Sequence, residues 1–247
     1  MQYTVIHGDC LAVLPTLGQF RLVFADPPFN IGVGYCNYSD KRVDYLDWCL
    51  DWIKLCWERT DGVLCLHGPD DLAEIYLYAA RQFGMTRISW VNWHYRFGVC
   101  QRRNWIGTRC HCLIFARNGY TWNPNAVLVP SDRATVYNDP RVNDSERGGS
   151  WLPGTIWGIP SDGPNWGRVQ GNNRERRPLH PNQLPEVYLE RLILAYTSAG
   201  DTVLDSFGGS GTTATVACAL SRIPTTIELS QAYCVSIEER IKGGMIR

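Results

Sequence analysis

Two short segments hold residue types whose spacing could do chemistry. Asp26-Pro27-Pro28-Phe29 directly follows the apolar run Leu22-Val23-Phe24-Ala25, and Asp205-Ser206-Phe207-Gly208-Gly209-Ser210-Gly211-Thr212-Thr213 directly follows Thr202-Val203-Leu204. An aromatic amine is a poor nucleophile because its lone pair is conjugated with the ring. A carboxylate at Asp26 and the backbone carbonyl of Pro27, accepting the two N–H bonds, would push that nitrogen towards tetrahedral geometry and free the pair. Pro27 and Pro28 lock these acceptors in place. Phe29 offers a ring on which a base drawn out of a helix could stack.

The second segment suits a nucleoside-bearing cofactor. Gly208-Gly209-Ser210-Gly211 stands between a strand pattern and a helix pattern, so a ligand can approach its backbone N–H groups closely. No Lys follows the last glycine, so this is not a P-loop; nor does it fit Gly-x-Gly-x-x-Gly, which argues against a nicotinamide-binding oxidoreductase. Glu228 ends the next strand pattern about twenty residues on, where an acid can bind both hydroxyls of a ribose. Cys110-His111-Cys112 is the one hint of metal. Strand alternation puts its thiols on one face, but no second ligand pair follows at zinc spacing, so a buried strand and no metal are expected.

Both loops need strands to position them. Tyr3 to His7, Arg21 to Ala25, Gly62 to Leu66, Ile88 to Trp93, Cys110 to Ala116, Thr202 to Asp205 and Pro224 to Glu228 read as strands. Between them lie a short helix through Leu14, stopped by Pro15, and a helix with Leu46, Cys49, Leu50, Ile53 and Trp57 at helical spacing. Others run from Asp70 to about Phe83, Pro185 to Tyr196, Ser210 to about Leu220, and Gln231 to Ile241. This alternation predicts an α/β fold with a mostly parallel sheet covered on both faces. Asn30 to Arg42, with Gly32, Gly34, Asn37 and Ser39 and no apolar period, reads as a mobile loop. Residues 118–179 break the pattern, being rich in Asn, Gly, Pro and Arg. Trp122, Trp151, Trp157 and Trp166, with Trp105 just before, argue for packing or binding there over disorder.

At 247 residues the chain fits one α/β domain carrying a large insertion, and 45% hydrophobic content excludes general disorder. No apolar run approaches a membrane span, Met1-Gln2-Tyr3 opens straight into a strand pattern, and the ten cysteines are scattered as in a reduced, cytoplasmic protein. A net charge of zero hides an asymmetry: Ile75 to Ser131 contains no Asp or Glu but holds Arg81, Arg87, Arg96, Arg102, Arg103, Arg109 and Arg117. Arg168, Arg174, Arg176 and Arg177 form a second cluster with Trp166 and His180. Nucleic-acid binding by a neutral chain must come from such a concentrated basic face.

Together these residues resemble the amino-methyltransferases of DNA, in the permuted β class whose catalytic motif precedes the cofactor motif. Asp26 to Phe29 matches that family's Asp-Pro-Pro-aromatic motif. Residues 205–213 match its Asp-Pro-Phe-x-Gly-Ser-Gly-Thr-Thr cofactor motif, with Ser206 in place of proline. His180-Pro181-Asn182-Gln183-Leu184-Pro185 is similar to His-Pro-Thr-Gln-Lys-Pro, departing at Asn182 and Leu184, and leads a helix against the methionine end of S-adenosylmethionine. Gly8-Asp9-Cys10-Leu11 resembles the first motif, whose Asp lies near the cofactor's adenine. The resemblance implies a seven-stranded Rossmann-like sheet with one reversed strand. Residues 1–117 would form its catalytic half, 180–247 its cofactor-binding half, and 118–179, with the basic connection at 95–109, the target-recognition region. It also implies Asp9, Cys10, His180, Pro181, Gln183, Asp205, Phe207 to Thr213 and Glu228 around S-adenosylmethionine. Arg102, Arg103, Arg174, Arg176 and Arg177 would meet phosphates or base edges of double-stranded DNA.

The function so implied is methyl transfer to adenine N6 in a flipped-out base, in a prokaryote or phage. Cytosine N4 is the nearest alternative; Asp at position 26, where N4 enzymes more often carry Ser, favours adenine. Cytosine C5 chemistry needs a thiol nucleophile, and no Pro-Cys pair occurs. Enzymes acting on protein glutamine or RNA usually place the cofactor motif first. A relative that kept the fold and lost catalysis is the alternative from another class, given the departures at Asn182, Leu184 and Ser206. Relatives in this class often dimerise, so a homodimer is an open assembly state.

Overall fold

The computed structural model describes residues 2–35, 39–95, 98, 102–142 and 149–245. The first half contributes β1 (Thr4–His7), α1 (Cys10–Val13), β2 (Phe20–Ala25), α2 (Tyr45–Glu58), β3 (Thr60–Gly68), α3 (Asp70–Gln82), β4 (Thr86–His94) and β5 (Arg109–Ala116). The irregular stretch holds β6 (Val129–Pro130), α4 (Asp132–Thr135), β7 (Ser150–Trp151) and β8 (Ile156–Trp157). The chain closes with α5 (Glu186–Tyr196), β9 (Thr202–Asp205), α6 (Thr212–Ala219), β10 (Ile223–Glu228) and α7 (Gln231–Gly243). All seven strand patterns are strands, and one sheet takes them in the order β1-β10-β9-β2-β3-β5-β4, with β8 added at the edge. Only β5 runs against its neighbours β3 and β4. Among the described residues no helix is long and apolar enough to cross a membrane.

Strands buried on both faces explain why the patterns read as continuous apolar runs. In β2, Val23 and Ala25 pack with α2 and α3 on one side, while Leu22 and Phe24 pack with α5 and α6 on the other. The α2 stripe is turned from the expected one. Trp48, Trp52 and Cys56 are buried beside Cys49, Ile53 and Trp57, whereas Leu46 is exposed. The two indoles reach Tyr76 of α3 and Phe207 after β9, contacts that a count of aliphatic periodicity does not weigh.

The crossing of first and last thirds of the chain creates the crevice. Strand β9 lies beside β2 with Val23 opposite Leu204 and Phe24 opposite Asp205. The chain leaves β2 towards α2 on one face and leaves β9 towards α6 on the other. A gap therefore opens at the carboxyl ends of these two strands, the switch point at which open α/β sheets bind ligands.

The irregular stretch is tied to the sheet by its aromatics. Trp157 and Trp166 are buried edge to face, 5.8 Å between centroids, and Trp93 of β4 donates to the Trp166 carbonyl at 2.7 Å. Arg191 of α5 lies over both indoles and pairs with the buried Asp162 at 2.7 Å. Trp122 and Trp151 are about half exposed. The expectation of a single concentrated basic face needs correction. Arg81, Arg87 and Arg117 lie where α3 and β5 end and β4 begins, at the far end of the sheet from the crevice, because a stretch spanning α3, β4 and β5 visits both ends. Arg117 is moreover committed to the Trp57 ring and to two backbone carbonyls. Arg96 and Asn37 lie outside the described residues. The loop at 30–42, expected to be mobile, is closed where it is described: Asp40 accepts from the backbone of Ile31 and Gly32, and Asn30 exchanges two bonds with the backbone of Arg42.

Candidate active site

Two adjoining cavities open at the crevice. The first, of about 270 Å³, is bounded by the Asp26–Phe29 loop, by Asp9 and Cys10 after β1, by Asp205 and Phe207 to Ser210 after β9, and by Glu228 and His180. Thr212 and Thr213 also reach it. The second, of about 290 Å³, lies towards β4 and is lined by His67, Trp93, Tyr95, Arg168, Pro181 and Gln183, among others. Asp26, Phe29, Asn182 and Leu184 line both and form their common wall. The four motifs, dispersed over more than two hundred residues (about 220), thus meet at one place because β1, β10, β9 and β2 are neighbours.

The glycine-rich turn has no room for side chains. A Cβ on Gly208 would lie 2.4 Å from Thr226 Cγ2, and one on Gly209, at φ +52°, would lie 2.8 Å from His180 Nε2. Glu228 secures the turn from the next strand: Gly209 N–H donates to Oε2 at 2.8 Å and Ser230 N–H to Oε1 at 2.7 Å. Phe207 N–H donates to Asp205 Oδ1 at 3.0 Å. At Ser206 the backbone N–H donates to the Phe24 carbonyl at 3.1 Å, extending the β2–β9 ladder by a bond proline could not make, while its hydroxyl meets Cys56 Sγ. On the other wall Tyr45 donates its hydroxyl to the Pro28 carbonyl at 2.6 Å, holding the proline loop from below.

Burial governs the electrostatics. It pushes the Asp26 carboxyl well above the usual carboxylate range, and repulsion from Asp205 adds to this. Asp205 is pushed up to about 7, again by burial, against hydrogen bonds from Thr213 and Phe207 that favour its anion. Burial pushes His180 down to about 4, so its ring is neutral near pH 7; Tyr35 and Tyr233 flank it. Two polar atoms on the walls are closed from solvent and have no hydrogen-bond partner: Asp26 Oδ1 and His180 Nδ1. Orphans of this kind are rare in finished structures and fit a site whose remaining bonds come from a ligand. A nucleoside cofactor of S-adenosylmethionine's kind fits this lining, with side-chain-free backbone at Gly208 and Gly209, carboxyl groups at Glu228 and Asp205, and rings around them.

Some expected residues are placed otherwise. The side chain of Gln183 is buried, accepting from Arg177 N–H at 3.0 Å and donating to the Glu175 carbonyl at 2.7 Å. Gln183 and Pro181 border the second cavity, not the first. Gly211, at φ +76°, is set back against Ile237. Asp9 is exposed and caps α1 through Leu11 N–H while lining the first cavity. Of the basic residues, Arg102, Arg103, Arg174 and Arg176 are exposed, and Arg177 is half-buried with its Nε closed from solvent. Cys110 and Cys112 are buried strand residues, and His111 between them meets Trp90 and Asp70.

Sequence reading missed Arg240. Its guanidinium is buried under the glycine turn, donating to the Ser210 carbonyl at 2.9 Å, to Thr212 Oγ1 at 2.8 Å and to Glu186 Oε1 at 2.9 Å. The signal was available: Tyr233, Ile237 and Arg240 fall at i, i+4 and i+7, which puts a cation on the buried stripe of α7.

The family model for DNA methylases of the N6/N4 class matches residues 20–239. The DNA adenine methyltransferase YhdJ of Escherichia coli K12 is 32% identical over 248 residues, covering 93% of this chain and 79% of that protein. The Type II methyltransferase M.HpaI of Haemophilus parainfluenzae is 29% identical over 98% of this chain and 74% of its own length. Among solved structures, PvuII DNA methyltransferase, cytosine-N4-specific, superposes with a TM-score of 0.72 at 17% identity over 97% of this chain and 86% of that one. The complex of M1.HpyAVI with SAM gives 0.64 at 17% identity over 97% and 99%. Geometry, motif order and family match agree, and the chain belongs to the N6/N4 DNA methylases, the S-adenosylmethionine-dependent transferases that modify amino groups of bases in DNA.

Proposed function

We propose that the enzyme methylates the N6 amino group of adenine in double-stranded DNA, with the target base swung out of the helix into the second cavity. The observation that carries this reading is the Asp26 carboxyl at the common wall of the two cavities, with Oδ1 closed from solvent and lacking a donor. An exocyclic amine brought through the second cavity supplies that donor. Phe29, on the same wall, is placed to stack on the base. The relative named a DNA adenine methyltransferase and the Asp at position 26 support adenine over cytosine.

S-adenosylmethionine, held in the first cavity, supplies an electrophilic methyl group on a sulfonium. Asp26 and the Pro27 carbonyl hold the two amine hydrogens and direct the nitrogen lone pair across the common wall. The methyl carbon would pass to the amine nitrogen while the C–S electron pair leaves with the neutral thioether, S-adenosylhomocysteine, and the extra amine proton would pass afterwards to water, so Asp26 need not be a strong base. Positioning and fixed polar groups do most of the catalysis. In this reading Glu228 binds the ribose hydroxyls, Gly208 and Gly209, having no side chains, let the cofactor lie close against the turn, and His180 closes the turn. Residues 118–179 with the 95–109 hairpin form the recognition region.

Nucleoside mass spectrometry on duplex DNA incubated with the protein and S-adenosylmethionine tests the assignment. N6-methyladenine is the expected product. N4-methylcytosine would keep the mechanism and overturn the choice of base.

A further inference from the structure

The connection between β4 and β5 leaves the sheet at the carboxyl end of β4, the same end at which β2 and β9 present the cavities. Its base is stiff. Tyr95 N–H donates to the Thr108 carbonyl at 2.8 Å, the Tyr95 hydroxyl donates to the Arg109 carbonyl at 3.1 Å, and a Cβ on Gly98 would fall 2.0 Å from the Gly107 oxygen. Gly98 and Gly107 themselves line the second cavity.

Two residues from that wall stands Trp105, 91% exposed, followed by Ile106, 48% exposed. Trp105 makes no ring or ion contact among the described residues, in contrast to Trp122, which lies 5.4 Å from the Tyr196 ring. Asn104 accepts from Trp105 N–H at 2.7 Å and shapes the turn. Arg102 and Arg103 precede it, both exposed and without a carboxylate partner among the described residues, and the sequence from Ile75 to Ser131 contains no acid to offset them. A large indole held in water contributes little to this fold. Following Arg102 and Arg103 in the chain and two residues before Gly107 on the wall of the second cavity, it matches the chemistry of a stacked, negatively charged duplex. Apolar wedges between base steps, flanked by arginines on phosphates, are a known means of unstacking DNA.

From the position of Trp105, exposed two residues before the second cavity's wall at Gly107, we infer that it enters the DNA helix beside the target and stacks in the space the flipped base vacates, with Ile106 against the neighbouring step and Arg102 and Arg103 on the flanking phosphates. The inference rests on the base-flipping reading above and adds the residue that drives it.

The test uses duplexes with 2-aminopurine at the target position, once methylated positions in plasmid DNA have located the target (pyrrolocytosine, should the target be a cytosine). Binding of the wild-type protein brightens the probe. Trp105→Ala binds S-adenosylmethionine as before, melts within about 1 °C of wild type, leaves the probe dim, and loses roughly 10- to 100-fold in kcat/KM on the duplex, the range expected for one lost base–aromatic stack. Trp105→Phe recovers most of both signals. Equal brightening and equal turnover by Trp105→Ala would overturn the wedge and leave base flipping standing. A dim probe with bound wild-type protein would instead overturn the flipping reading, and the wedge with it.

Discussion

At the scale of single residues, the proposed chemistry converges on the Asp26 side chain. Asp26→Ala removes the acceptor at the common wall without touching the glycine turn. Turnover should fall to background, while calorimetric binding of S-adenosylmethionine stays within a few-fold of wild type; undiminished turnover would refute the role given to it. Asp205 makes a pH-dependent prediction for the free enzyme. Its folded pKa of about 7 lies above the ordinary 3.8, so between those values the folded protein holds a proton that the unfolded chain has lost. This carboxyl therefore weakens the fold progressively as pH rises through that window. Asp205→Asn should raise stability in urea by a few kcal/mol at about pH 8, with the gain fading towards about pH 3. His180 acts in the opposite sense: with its pKa pushed down to about 4, its neutral burial weakens the fold as pH falls below 6.5. A gain for Asp205→Asn that did not depend on pH would show that burial is not what perturbs the carboxyl.

At the scale of elements, α7 supports the cofactor turn through one buried ion pair. Arg240→Met removes the guanidinium shared by Ser210, Thr212 and Glu186, and should cost about 3–5 kcal/mol, since a buried charge loses its counter-ion. Cofactor affinity should fall along with stability, and adding Glu186→Gln should recover part of the stability; recovery of none would argue that packing, not charge, dominates. The β4–β5 hairpin answers to salt. If Arg102 and Arg103 each neutralise one phosphate, replacing both with Ala lowers the slope of log K against log salt by roughly two. An unchanged slope would place both side chains off the DNA.

At the scale of the whole molecule, cofactor and fold should be linked, because the cavity proposed for S-adenosylmethionine lies between strands from opposite ends of the chain. At a hundred-fold excess over Kd it should stabilise by about 2.7 kcal/mol, raising the melting temperature by roughly 5–10 °C for a chain of this size. No shift at any concentration would leave only an inactive member of the family. The same crossing of the chain separates what was legible from what was not. The seven strands, the two motif loops and their order could be read directly, because buried strands write an apolar run and a glycine turn that meets Thr226 and His180 admits no other residue. Whether Gln183 faces the cofactor or the Glu175 backbone, which arginines turn outward, and that Arg240 lies under the turn depend on packing between segments far apart in sequence. Local pattern determined the chemistry available to this protein: a carboxylate before two prolines, a glycine turn after a strand. Only the tertiary structure, by setting β9 against β2 and β4 three strands beyond β2, decided that the two would line one cavity and that an exposed tryptophan would stand two residues from the wall of the next, since register and burial are properties of neighbours in space.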